Sequence, residues 1–199
     1  MPSDRVDVDK RATLRQFAAL GAVSPLARVI ESRSDSDSDA RGAIAGYLAA
    51  TPGAHFSKIR DDLSLGTGET QHHLRRLVDA KALESARDGD YRRFYPADRF
   101  SDFEKVALGY LRRSTPRGMV LELLRRPEAS GADLAAVLDV SPSTVSKYAA
   151  EMAETGLLSR DEGYTLVRPE TFLVLLVRYA DSFDEETAAF AADAADFIR

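Results

Sequence analysis

The chain has 199 residues, 44% hydrophobic and 30% charged, which is room for one large or two small globular domains of ordinary soluble composition. Its longest apolar run, Phe172 to Val177, is far too short to span a bilayer, and the absence of cysteine rules out disulfides and thiolate metal sites. The formal charge is −5, and lysine occurs only at Lys10, Lys58, Lys81, Lys105 and Lys147, so the chain as a whole has no general attraction for polyanions.

Residues 1–39 differ in character from the rest. Thr13, Leu14, Phe17, Ala18 and Leu20 suit one or two turns of amphipathic helix, with Val29 and Ile30 further on. Ser32 to Asp39 is a low-complexity alternation of serine with charge, the composition of a solvated linker. Lys10-Arg11 and the short apolar stretch after it faintly resemble a twin-arginine export signal. Arg15 interrupts that stretch, so a cytoplasmic location is expected.

A first unit is predicted over residues 40–98. Ile44, Tyr47 and Leu48 fall on one helical face, and Thr51-Pro52-Gly53 punctuates its end. Ser57 is the expected cap of a second helix with Ile59 and Leu63 inward; Leu65-Gly66 makes a turn and Thr67 is the expected cap of a third. On that third helix Leu74, Leu77 and Val78 point inward, which leaves Glu69, Gln71, His72, Arg75 and Arg76 outward. Leu83 to Arg87 and Tyr91 to Tyr95 read as strands around the hairpin signal Asp88-Gly89-Asp90, with Pro96 as the stop. Residues 99–114 follow as a connecting helix, with Phe100, Phe103, Val106, Ala107, Tyr110 and Leu111 at helical spacing.

A second unit is predicted over residues 115–168. Thr115-Pro116 is a cap followed by a first-turn proline, and Met119, Val120, Leu123 and Leu124 give the core face. Ser130 caps a helix running to Leu138, and Ser141-Pro142 opens another, on which Val145, Ala149 and Met152 face in. Ser143, Thr144, Ser146, Lys147 and Tyr148 sit at its exposed N-terminal end; Leu157 to Arg160 and Tyr164 to Val167 form a ribbon. In residues 169–199, Glu170 to Tyr179 is apolar nearly all round. A last helix carries Phe183, Phe190 and Phe197 at seven-residue spacing. Such a stripe needs a partner surface, either the protein's own core or a second copy, and these three phenylalanines are the candidate dimerisation residues.

The two units repeat one another. Ile59 and Leu63 recur as Leu134 and Leu138, Leu65 as Val140, Leu74 as Ala149, Leu77 as Met152 and Leu83 as Leu158, all at an offset of 75 positions. Short helix, tight turn, longer helix and two-stranded ribbon make a winged helix-turn-helix. The expected fold is therefore mainly α with small β-wings: two tandem winged helix-turn-helix domains plus connecting and C-terminal helices. Such a unit sets its third helix in the major groove, where exposed hydrogen-bonding side chains meet base edges. Candidate contacts in the first copy are Thr67, Gln71, His72, Arg75 and Arg76, with Arg87, Arg92 and Arg93 on the wing for phosphates or the minor groove. In the second they are Ser143, Thr144, Ser146, Lys147 and Tyr148, beside Glu151, Glu154 and the acidic wing residues Asp161 and Glu162. An ordinary solvated helix face would look similar; two copies in register favour DNA. On charge the first copy is the better reader, and the second reads DNA or serves dimerisation.

His72 and His73, adjacent on a helix, point about 100° apart and do not suit one shared ion, so no metal or cofactor is expected. Nothing resembles a nucleophile with its base, a phosphate loop or an acid–base pair, and no catalysis is expected.

Pro52-Gly53-Ala54-His55-Phe56-Ser57-Lys58-Ile59, Gly68 to Leu77, and Ser141 to Tyr148 resemble the archaeal winged helix-turn-helix regulators related to the ArsR and MarR families. Arg178 to Phe183 is similar to the segment that closes tandem members from salt-loving archaea. The resemblance covers about Ala40 to Phe183. It implies a cytoplasmic, dimeric transcription factor on double-stranded DNA, contacting it through Gln71, His72 and Arg75 and through Ser146, Lys147 and Tyr148. It does not carry over metal sensing, which in many ArsR proteins needs cysteines, and it names no effector. The acidic charge fits a halophile, because in molar salt screening acts over about 3 Å and close contacts replace long-range attraction. A protein-interaction scaffold without DNA binding is the alternative.

Overall fold

A computed structural model describes the backbone of residues 35–197 and the side chains of residues 39–194. The amphipathic turns and the export-like segment expected before residue 35, and the side chain of Phe197, lie outside the described residues. The chain separates into two compact units, one ending at Ser101 and one beginning at Asp102.

In the first unit, helix α1 spans Asp35–Ala50. It takes in Asp35 to Asp39, more than half of the acidic-serine stretch read as a linker. Extending a helix already nucleated by the alanine-rich segment after Ala40 needs no new nucleus, so composition alone misplaces the boundary. Ala40, Ala43, Ile44, Tyr47 and Leu48 are buried against α3 and strand β3. After Gly53, held at φ 80°, strand β1 (Ala54–His55) pairs with β3. Two residues are too few for a periodic signal, and this strand was not expected from sequence. Helices α2 (Phe56–Asp62) and α3 (Thr67–Asp79) follow, then the hairpin β2 (Leu83–Asp88) and β3 (Tyr91–Pro96), giving an antiparallel sheet of order β1-β3-β2. Two caps differ from expectation. His55, not Ser57, caps α2, its Nδ1 accepting from the Lys58 N–H at 3.3 Å. Gly66, not Thr67, precedes α3, and the Glu69 carboxylate accepts from the Gly66 N–H at 3.2 Å.

The second unit begins with α4 (Asp102–Leu111), which buries Ala107, Leu108, Tyr110 and Leu111 but leaves Val106 exposed. Helix α5 (Ser114–Arg125) starts one residue before the expected Thr115 cap, so Pro116 lies within the first turn, where no N–H is needed. It buries Met119, Val120, Leu121 and Leu123. Gly118 makes the next contact possible: a Cβ there would stand 2.4 Å from Leu138 Cδ2. Helix α6 (Gly131–Val137) is capped by Ser130 as expected, the Asp133 N–H donating to Ser130 Oγ at 3.2 Å. Helix α7 (Pro142–Glu154) opens on Ser141, whose Oγ accepts from the Thr144 N–H at 3.1 Å, and buries Val145, Ala149 and Met152. The ribbon is shorter than expected, with β4 (Leu158–Ser159) and β5 (Thr165–Leu166) pairing over two residues each. Helix α8 (Pro169–Arg178) buries Phe172, Leu175 and Leu176 but leaves Val174 58% exposed, so it has one open side.

The last helix is α9 (Glu185–Phe197), and two of the three candidate dimerisation residues, Phe183 and Phe190, pack within their own unit. Phe183 lies under the guanidinium groups of Arg112 and Arg117, at 4.3 and 5.6 Å from its ring centre. Phe190 is buried, with Arg125 5.4 Å from its ring. Arg117 binds Asp184 and the Leu111 carbonyl, Arg125 binds Glu186 at 3.1 Å, and Arg112 donates to the Ser182 carbonyl at 2.7 Å. Phe183 and Phe190 thus meet partners within this unit.

The helix-turn-helix path is drawn twice with the same torsions. Helices α2 and α6 both have 7 residues, and α3 and α7 both have 13. The turn residues Ser64 and Asp139 take φ 53° and 51°. The Leu65 N–H donates to the Arg60 carbonyl at 2.9 Å, as Val140 does to Ala135 at 3.1 Å. Both ends of α2 and α6, and of α3 and α7, stand 75 positions apart, and so do the caps His55 and Ser130.

Candidate nucleic-acid interface

Helix α3 buries Thr70, His73, Leu74 and Leu77, and this fixes which side is open. Thr67, Gln71 and Arg75 follow at four-residue intervals and form one exposed stripe. None of the three side chains has a hydrogen-bond or ion-pair partner among the described residues. The stripe borders a groove of about 410 Å³, also lined by Arg92 and Asp79, with Phe56, Leu74, Val78 and Phe94 as its apolar floor. Arg76 and His72 are exposed on the same helix. The His72 ring stands edge-on to His73 at 5.2 Å, but His73 is buried, so the two imidazoles serve different surroundings.

The hairpin brings Arg87 and Arg92 directly opposite each other across β2 and β3. Like charges in that position repel. Arg92 Nε donates to Ser85 Oγ at 2.9 Å, and Arg87 Nε reaches the Gly89 carbonyl at 3.4 Å, so neither guanidinium is neutralised by a carboxylate. A concavity of about 390 Å³ lies beside them, bordered by Ser85, Asp90 and Tyr91. This pair suits an anion.

Arg93 does not belong to that surface. It is only 3% exposed, paired with Asp88 and donating to the Gly53 carbonyl at 2.9 Å. Successive strand residues face opposite sides, so Arg92 outward places Arg93 inward. Its work is to tie the hairpin to the start of β1. The Tyr91 ring, 50% exposed, leans on His55 at 4.9 Å. Burial, and then the positive charges of Arg93 and Lys58, hold the His55 imidazole below its usual pKa. The neutral ring is the form whose Nδ1 can accept the capping bond.

In the second unit the matching surface is different. Ser146 stands where the first has Gln71, and Ala150 where it has Arg75. The Ser143 and Thr144 hydroxyls are each 2.8 Å from Ser141 Oγ, tied into the cap, and Tyr148 is half-buried. Lys147 is exposed and lies 3.9 Å from Glu151. Gly131, Ala149 and Ala153 replace Phe56, Leu74 and Val78, and the Tyr164 ring lies 3.0 Å from where a Gly131 Cβ would be. Over residues 102–194 there are 10 basic against 16 acidic side chains.

Sequence reasoning missed the floor of the groove and the cap at His55. Nothing in the spacing of Phe56 and Phe94 marks them as part of a surface. The repeat itself held the clue to the cap, because His55 stands at the same offset from Ser130 as every matched core residue.

Residues 38–108 match a family model described as an N-terminal HTH domain. No curated protein matches the chain. Among the described residues no helix is long and apolar enough to cross a membrane. The largely helical chain with small antiparallel sheets is consistent with a winged helix-turn-helix, and the matched segment, α1 through most of α4, is a helix-turn-helix domain whose function class is DNA-binding regulation.

Proposed function

We propose that this protein is a sequence-specific transcriptional regulator of double-stranded DNA, built from two tandem winged helices, of which the first reads the operator. The observation that carries this reading is the free stripe Thr67, Gln71 and Arg75 beside the un-neutralised wing pair Arg87 and Arg92. Gln71 carries the amide donor and acceptor that suit adenine and Arg75 the guanidinium fork that suits guanine, while the wing pair takes phosphates. The second unit keeps the skeleton and offers Ser146 and Lys147 as lesser contacts. The protein acts in the cytoplasm, without catalysis, as a homodimer whose surface does not include Phe183 or Phe190. A relation to the ArsR and MarR regulators of halophiles accords with the acidic charge.

The test is a mobility-shift series on genomic fragments over a range of KCl up to molar, with light scattering for mass. Retained fragments are expected, and Arg75→Ala with Arg92→Ala should release them. Retention of no fragment by the wild-type protein would reject the reading. The acidic surface of the second unit favours one rival, a protein-contact scaffold. Under that rival the double variant would leave the cellular phenotype intact.

A further inference from the structure

The groove beside α3 has an apolar floor that the helix-turn-helix itself does not require. Phe56 and Val78 pack on the core of the first unit yet stay partly open. The second unit builds the same path with glycine and alanine at those positions. Polar groups meet that floor at its rim. The side chains of Gln71 and Arg75 stand there with no partner among the described residues. Arg92, held by the Ser85 hydroxyl, lies 5.4 Å from the Phe94 ring centre. Two arginines against the carboxylate of Asp79 leave the lining net positive, which suits a polyanion that carries an apolar group.

We propose that this groove reads the C5-methyl group of thymine, so that the operator carries thymine next to the bases met by Gln71 and Arg75. This rests on the DNA reading above and adds to it a base that the first unit selects. Along the major-groove edges of the four bases, the thymine methyl is the only apolar group. Cytosine presents a hydrogen in its place and an amino donor where thymine has the O4 acceptor. An apolar surface beside an amide and a guanidinium therefore has one complement on a base edge. The charged rim holds the strand through phosphate, which every sequence offers, and the floor supplies the choice. In the second unit Gly131 and Ala153 offer less apolar surface, so the preference is expected from the first unit alone.

The experiment uses the full chain and compares each retained genomic fragment with a copy in which every thymine is uracil. That change removes the methyl and keeps the base pairing and the sugar. Uracil DNA should bind about fourfold more weakly for each methyl seated in the groove, the ratio that burying one carbon gives. Arg92→Ala should weaken both DNAs alike and leave that ratio unchanged. Phe56→Ala combined with Val78→Ala should bring the ratio close to one. Val78→Ala alone, a replacement that suits a helix, should lower it part of the way, and it decides the matter if Phe56→Ala unfolds the first unit. Equal affinity for thymine and uracil DNA would overturn the inference and leave the DNA reading standing, with the floor meeting deoxyribose only. A uracil penalty that the groove variants keep would overturn it as well, because the methyl would then act elsewhere or through DNA shape. If neither DNA is retained, the DNA reading and this inference fail together.

Discussion

On α3 of the first unit, Thr67, Gln71 and Arg75 stand free along one stripe; at the same positions of α7 the second unit carries Pro142, Ser146 and Ala150. Beneath these surfaces the two paths agree in helix length, turn torsion and cap position. A repeated backbone therefore does not imply a repeated activity. Core positions are held by packing against neighbours that must also be kept, whereas an exposed stripe changes without cost to the fold. The arginines show the same division. In the first unit Arg75, Arg87 and Arg92 face outward without a carboxylate partner, while in the second Arg117, Arg125 and Arg126 are ion-paired within the unit.

The largest expected effect tests how alike the two turns are. Leu63 is fully buried and its counterpart Leu138 only half-buried. Leu63→Ala should cost roughly 3–4 kcal/mol and Leu138→Ala about half of that, read from denaturant unfolding with resonances assigned to each unit. Equal costs would mean that the difference in burial does not govern the turn. Next come the surfaces. Arg75→Ala or Arg92→Ala should weaken DNA binding by about 1–3 kcal/mol, and Arg92→Ala should also lower the salt slope by about one. Lys147→Ala, in the second unit, should change affinity less than about twofold, within the range of exposed charges. A loss at Lys147 as large as at Arg75 would make the second unit an equal reader.

Acid should separate the units by pH. His55 has a lowered pKa when folded, so the unfolded chain binds its proton first; stability is full above the ordinary value of 6.5 and falls as pH drops from there toward the folded value. Asp184 in the second unit is also lowered. Its burial acts the other way, but hydrogen bonds from Thr187 and Arg117 outweigh it. Its contribution is present above the ordinary value of 3.8 and is lost as pH falls below that. Signals of the first unit should weaken at mild acidity and those around Thr187 only at lower pH, below the ordinary carboxylate value, and His55→Gln should remove the earlier step. The smallest effect is in the turns. Ser64→Gly should stabilise by up to about 1 kcal/mol by relieving a left-handed residue. Asp139→Gly should gain less, since aspartate tolerates that conformation better than serine. Thermal midpoints would resolve the two.

Much of the core was legible before any coordinates. Ile59, Leu63, Leu74, Leu77, Val145, Ala149 and Met152 are all buried as their spacing predicts, because a 3.6-residue period leaves little choice of inner face. Ser130 and Ser141 cap the helices they precede for a local reason, a hydroxyl within reach of an unpaired N–H. His55 escaped the same logic, because histidine caps only when its ring is kept neutral, and Arg93 and the surrounding burial supply that condition. The fate of Phe183 and Phe190 was equally hidden, since a stripe of phenylalanines looks the same whether a neighbouring helix or a second copy covers it.

Periodicity, caps and turn residues, read along the chain, thus determined where the helices lie and which side of each faces in. Those signals act between residues a few positions apart. Tertiary structure alone decided which arginines remain free, that Arg93 is an internal tie, and that Phe56 and Phe94 floor one groove with Arg75 and Arg92 on its rim. These facts depend on partners distant in sequence, as Arg93 lies 40 positions from Gly53. Charge and apolarity in the sequence name what a side chain can bind, and only the folded chain determines which partner it meets.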